Sequence, residues 1–146
     1  MAEVKQVIVF RKDLMKGEHA VRKGKIAAQV AHASLGALLK WAHKEEHTNG
    51  FLGTDKYTKI EFEFKPGSIL DKWLNGIFTK ICVSVNNEEE LLSLYNKITE
   101  ETGIPCCLIT DAGNTEFHGV PTNTCIGIGP WWSEEIDEYT KNLQLF

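Results

Sequence analysis

Apolar and polar positions along this chain switch between a strand period and a helix period. Residues 4–11 (VKQVIVFR) are β-branched and aromatic, which predicts a strand. From Gly24 to about Glu46 an uninterrupted Ala/Leu-rich pattern predicts a helix. Residues 78–85 alternate Ile81, Val83 and Val85 with Lys80, Cys82 and Ser84, the mark of a second strand. Asn86-Asn87-Glu88-Glu89 then supplies an amide cap and first-turn acids for a helix. Leu91, Leu94, Tyr95 and Ile98 give that helix one apolar face, and Gly103 stops it. Residues 106–110 (CCLIT) and 123–128 (NTCIGI) predict two further short strands, the latter run ending at Gly129-Pro130. A last helix is expected over 133–143, opened by an out-of-register capping box at Ser133 and Glu135.

Strands interleaved with helices imply an α/β sandwich whose sheet has at least some parallel connections. One segment fits poorly. Residues 47–76 read as an insertion of moderate order, in which 57–64 alternates Ile60, Phe62 and Phe64 with Lys59, Glu61 and Glu63 as an edge strand or hairpin arm would. There is no internal repeat and no linker composition, so residues 1–146 are read as one domain. The opening MAEVKQVIVFRKD has a short apolar run closed by charges, and no stretch reaches the roughly 18 apolar residues of a span. The expectation is a soluble, untargeted cytoplasmic protein without membrane contact.

Composition changes this picture in two places. Cys82, Cys106, Cys107 and Cys125 fall inside predicted strands, with no C-x-x-C pair and no histidine at ligand spacing, so they read as small buried apolar residues rather than a disulfide or metal site. The net charge of -4 argues against a generic nucleic-acid binder, so any phosphate grip must come from a local cluster.

Arg22-Lys23-Gly24-Lys25 is such a cluster, and it leads directly into the first helix. Unpaired N–H groups at a helix start, together with three cations, suit an anion, although lysine in a first turn opposes the helix dipole. Lys25, Gln29 and His32 share a stripe, while Ile26, Val30, Ala33 and Ala37 form an apolar one beside it. A nucleotide-binding P-loop is excluded: the earlier glycine is missing, and Ile26 replaces the hydroxyl residue that holds magnesium. The second concentration is Thr110-Asp111-Ala112-Gly113-Asn114-Thr115, after the strand CCLI. An aspartate at the carboxyl end of a strand occupies the crevice where α/β sheets bind ligands, and the same Asp-x-Gly equally makes an Asx-turn.

The blocks V-I-V-F-R, D-L, G-K-x-A-A-Q-V-A-H-A, T-D-A-G-x-T and T-x-x-x-G-I-G-P, in this order, resemble the type 2 peptidyl-tRNA hydrolases, as does the closing YTKNLQL. The resemblance implies a three-layer α/β/α sandwich with a mixed sheet of about four strands. It also implies a homodimer and metal-independent hydrolysis of peptidyl-tRNA, with no cofactor. Lys25, Asp111, Thr115 and Thr124 match the family's catalytic positions; Arg22, Lys23, Lys25, Gln29 and His32 are the candidate tRNA contacts. Asn114 and Glu116 stand where the family usually carries a basic residue and glutamine, which predicts a weaker tRNA grip. The loops at 15–23 and 47–76 are longer than usual.

Ester hydrolysis needs an activated water, a stabilised oxyanion and a proton for the departing ribose hydroxyl. Asp111 is the candidate to orient or deprotonate water, and Lys25 to offset negative charge or hold a phosphate. The Thr115 and Thr124 hydroxyls serve either the oxyanion or the orientation of Asp111. Two alternatives stand beside this reading: a non-catalytic RNA-binding or protein-interaction module, and a hydrolase of another small ester or amide.

Overall fold

A computed structural model describes residues 2–114 and 116–146. Strand β1 (Val4–Arg11) takes the place its sequence predicts and is covered on both faces. Val7 and Val9 point to one side, into a cluster with Val83, Leu91, Ile98, Ile126, Ile128 and Ile136; Ile8 and Phe10 point to the other, against Ala33 and Cys125. Two buried faces require helices on both sides of the sheet.

Helix α1 (Lys23–Leu39) covers the second face. The first face is covered by α3 (Glu88–Glu101), through Leu91 and Ile98, and by α4 (Ser133–Thr140), through Ile136. As the sequence predicts, Asn87 caps α3, its side chain accepting from the Glu90 N–H at 2.9 Å. Glu90 returns the contact by accepting from the Asn86 N–H at 2.7 Å.

Besides β1, the main sheet holds β4 (Lys80–Val85), β5 (Cys106–Asp111), β6 (Thr122–Trp132) and the two-residue β7 (Gln144–Leu145). Its order is β5-β6-β1-β4-β7, with β1 and β4 parallel and the other pairs antiparallel. It is the mixed sheet expected, four main strands with β7 added at one edge. The helix α1 lies close against β6 and β5 because the contacts are built from small residues. A Cβ added at Gly127 would stand 2.1 Å from the Ala33 carbonyl oxygen, and one added at Gly36 would stand 2.6 Å from Cys107 Sγ. All four cysteines lie in strands, with Cys106 and Cys125 buried.

Several boundaries differ from the sequence reading. The first helix does not reach Glu46; it stops at Leu39, and β2 (His43–Asn49) pairs antiparallel with β3 (Asp55–Glu61) in a separate two-stranded sheet. The Ala/Leu pattern ends at Leu39, and the polar run HKEEHTN has no helical stripe to hold against the core. The hairpin therefore begins at His43, within the stretch expected to be helical and ahead of residue 47, the expected start of the insertion; the arm expected over 57–64 is β3. The segment after it carries a short helix, α2 (Ile69–Leu74), which buries Ile69, Leu70 and Trp73. Strand β4 begins at Lys80, two residues after the expected start, because Phe78 turns to φ 55. Strand β6 continues past Gly129-Pro130 to Trp132. Helix α4 starts at Ser133 without a side-chain cap, so the out-of-register capping box forms no box. Among the described residues no helix is long and apolar enough to cross a membrane.

Candidate active site

The first turn of α1 and the carboxyl end of β5 meet at one sheet edge, which brings together residues 86 positions apart. Lys25 Nζ donates to Asp111 Oδ1 at 2.6 Å, with the two side chains only 18% and 11% exposed. Gln29, one turn further along α1, donates from Nε2 to the same oxygen at 3.2 Å. The Gly113 N–H donates to Asp111 Oδ2 at 2.8 Å, closing the Asx-turn. Gly113 can do this because its φ of +82 is the left-handed region; a Cβ there would lie 2.5 Å from the Val120 carbonyl oxygen.

These contacts set the charge of the carboxylate. Burial acts to raise the Asp111 pKa, but the Lys25 hydrogen bond, the Gly113 N–H, the Lys25 charge and the Gln29 amide together outweigh it. Asp111 is held below the ordinary carboxylate range. Its surroundings therefore do not raise its basicity, which a role as proton-abstracting base requires.

Thr124 sits behind this pair, wholly buried. Its hydroxyl donates to Gln29 Oε1 at 2.7 Å. The strand period would send Thr124 to the same side as Ile126, away from α1. A register shift turns it instead: Ile109 pairs with Cys125 while Thr110 pairs with Asn123, so Thr124 is the extra residue of a bulge. Next to it the Cys125 thiol donates to the Gln29 carbonyl oxygen at 3.4 Å. Burial pushes that thiol up to about 12, which keeps it protonated and unreactive.

The other sequence candidates fall differently. Arg22 and Lys23 are exposed at the helix start, with Arg22 Nε 3.7 Å from Glu116 Oε1. Gln29 is buried under Asp111 rather than on the surface. His32 is exposed and is not among the groups that bond to Asp111. Its neighbour Ala33 marks the buried face of α1, and consecutive helical residues stand about 100° apart. Thr115 lies outside the described residues.

Sequence reasoning passed over Arg11. From the end of β1 it donates to both carboxylate oxygens of Asp13, to Glu88 and to the Asn123 carbonyl at 2.9 Å, bracing the bulged start of β6. An arginine with a carboxylate two residues on, at the end of a buried strand, was the available signal.

The Lys25-Asp111 ion pair thus lies at the edge of a small α/β sandwich, with the Gln29-Thr124 hydrogen bond buried behind it. The model of the family peptidyl-tRNA hydrolase PTH2 matches residues 4–146. Among curated relatives, a peptidyl-tRNA hydrolase of Methanothermobacter thermautotrophicus is 41% identical over 142 residues, covering 97% of this chain and 99% of that protein. One from Methanopyrus kandleri is 39% identical over 141 residues, 97% of each. One from Sulfolobus acidocaldarius is 37% identical over 142 residues, 97% of this chain and 99% of that one. The chain belongs to the peptidyl-tRNA hydrolase PTH2 family.

Proposed function

We infer that this protein hydrolyses the ester between a peptide, or an N-blocked aminoacyl group, and tRNA. Water adds to the ester carbonyl and the bond to the ribose oxygen breaks; one proton of the water ends on that oxygen as the ribose hydroxyl, and the other passes to solvent as the peptide's new carboxyl ionises. The observation that carries this reading is the Lys25-Asp111 pair at the edge of the sheet, in a chain of this family. The non-catalytic alternative is not favoured, since the relatives are named as hydrolases along their full length.

In this reading Asp111 is an ionised anchor. It holds Lys25 in place and accepts a hydrogen bond from the attacking water, orienting it rather than stripping its proton. The Lys25 ammonium offsets charge developing on the ester oxygen. Thr124 and Gln29 are positioning residues, because their burial keeps them from the substrate. Thr115 is kept as a catalytic candidate from the motif alone. Arg22 and Lys23 meet tRNA phosphate at the helix start, with His32 further along the exposed side. The rest of the reading is one hydrolase domain over 1–146, working in the cytoplasm where its substrate arises and paired as a homodimer, as the family resemblance implies.

The test is release of the acyl group from N-acetylaminoacyl-tRNA by the purified, metal-chelated protein. Release by the parent, with a fall of about 100-fold or more in a stably folded Asp111→Asn variant, supports the reading. No release by the parent sinks it. Parental rates in the variant leave Asp111 a turn former only.

A further inference from the structure

Beside the Lys25-Asp111 pair lies a cleft of about 600 Å³, lined by the loop that precedes α1 and the loop that follows β5. Ligand pockets run from roughly 300 to 1,000 Å³, so a nucleoside has room here. The two loops meet twice across it. Arg22 faces Glu116 at 3.7 Å, and the imidazoles of His19 and His118 stand edge to face with centroids 4.8 Å apart. Glu116 also carries an unmet demand: its Oε2 is buried and has no hydrogen-bond partner among the described residues. A buried carboxylate oxygen without a donor is costly, and it marks a place where a donor belongs. Gly113 joins cleft to site, lining the one while its N–H binds Asp111 in the other.

We propose that this cleft receives the terminal adenosine of the tRNA, with the base amine donating to Glu116 and the ring stacking against the His19-His118 pair. The proposal rests on the hydrolase reading above. The ester is carried by the ribose of that last nucleoside, so its base must lie next to the scissile bond, and the cleft opens two residues beyond Asp111. A carboxylate only accepts hydrogen bonds. Rotation about its last bond presents either Glu116 oxygen to an amine, and adenine has one where hypoxanthine has a repelled carbonyl oxygen. Imidazole is one of the rings on which splayed bases stack. Arg22, 90% exposed at the rim, is placed for the adjoining phosphate.

The experiment titrates adenosine 5′-monophosphate and inosine 5′-monophosphate into the full chain, following the histidine ring signals by NMR. The expected result is saturable binding of the adenosine nucleotide that shifts His19 and His118, with the inosine nucleotide about tenfold weaker or worse. Glu116→Gln, whose amide can also donate, should bring the two within a few-fold of each other. His118→Asn, a residue that tolerates the φ of 53 found there, should weaken adenosine nucleotide binding by about tenfold. Equal affinity for the two nucleotides, no saturable binding at millimolar concentration, or shifts confined to other surfaces would overturn the subsite. Hydrolysis of N-acetylaminoacyl-tRNA is measured on the same samples. Hydrolysis without base discrimination removes the subsite and leaves the hydrolase, whereas base discrimination without hydrolysis counts against the hydrolase alone.

Discussion

Thr124 and Gln29 share a buried hydrogen bond of 2.7 Å, in which the Gln29 amide faces the hydroxyl with its oxygen. The far end of the amide meets Asp111, an acceptor only, so the nitrogen must point there and the oxygen must point to Thr124. The carboxylate thus sets the amide's orientation, and the hydroxyl, brought round by a bulge, holds its other end.

Replacing Thr124 by valine keeps the β-branched shape and removes the donor. Gln29 Oε1 is then buried without its partner, at a cost of about 1–3 kcal/mol. The denaturant midpoint should fall accordingly while the m-value stays constant. Hydrolysis of N-acetylaminoacyl-tRNA should slow through kcat more than through KM, as befits a residue that acts through Gln29. Thr124→Ser should recover most of both; a valine variant equal to the parent in stability and kcat would show that the bond sets nothing.

That residue also marks how far the sequence could be read. Hydrophobic period located β1, β4, β5, β6 and the apolar face of α3, because those elements are fixed by burial. It brought Asp111 to the sheet edge and Lys25 to the helix start, which share a crevice by topology alone. It could not show Thr124 facing α1, since alternation along TNTCIGI sends it the other way and only pairing with β5 reveals the bulge. The same limit explains the hairpin at His43. Its strands have exposed faces with little apolar content, so no burial signal separates them from a helix tail. The Gln29 relay was hidden for another reason: a polar residue at the margin of an apolar face reads as a surface contact until its buried partner is known.

The Asp111 charge makes a pH prediction. Its folded pKa lies below the ordinary value, so the stability it confers is fully present above that value, near about 4, and is lost as pH falls through the folded pKa. The stability difference between parent and Asp111→Asn should be flat from neutral pH down to about 4 and shrink below it. Carbon-13 titration of the carboxyl should place its midpoint below the ordinary value, and Lys25→Met should move that midpoint upward. A midpoint unaffected by Lys25→Met would mean that the ion pair does not hold in solution.

Glycines of α1 and β6 separate close packing from mere flexibility. Gly127→Ala puts a methyl 2.1 Å from the Ala33 carbonyl oxygen, so α1 must lift from the sheet and carry Lys25 and Gln29 with it. A loss of about 1–3 kcal/mol or more is expected, the range for overpacking a tight interior. Gly24→Ala, in the first turn of the same helix, meets nothing within 4 Å among the described residues and should leave the melting temperature unchanged or raise it slightly. Thermal melts of the two variants make the comparison, and a Gly127→Ala protein as stable as the parent would contradict the packing of α1 on β6.

The tRNA grip should be local and electrostatic, since the chain as a whole carries a net charge of -4. Phosphates held by Arg22 and Lys23 release counterions, so the logarithm of the association constant should fall linearly with the logarithm of salt concentration. Removing both charges in Arg22→Ala/Lys23→Ala takes away two contacts and should flatten that slope by about 2, while weakening tRNAs of different sequence alike. Glu116 offers an internal check, because it faces Arg22 at 3.7 Å and draws on the same charge. With tRNA lacking its terminal adenosine, Glu116→Gln should tighten binding at low salt and make little difference at high salt, where such interactions are screened. Filter-binding titrations across a salt series would measure all three slopes. A parental slope retained by the double variant would move the phosphate contact away from the start of α1.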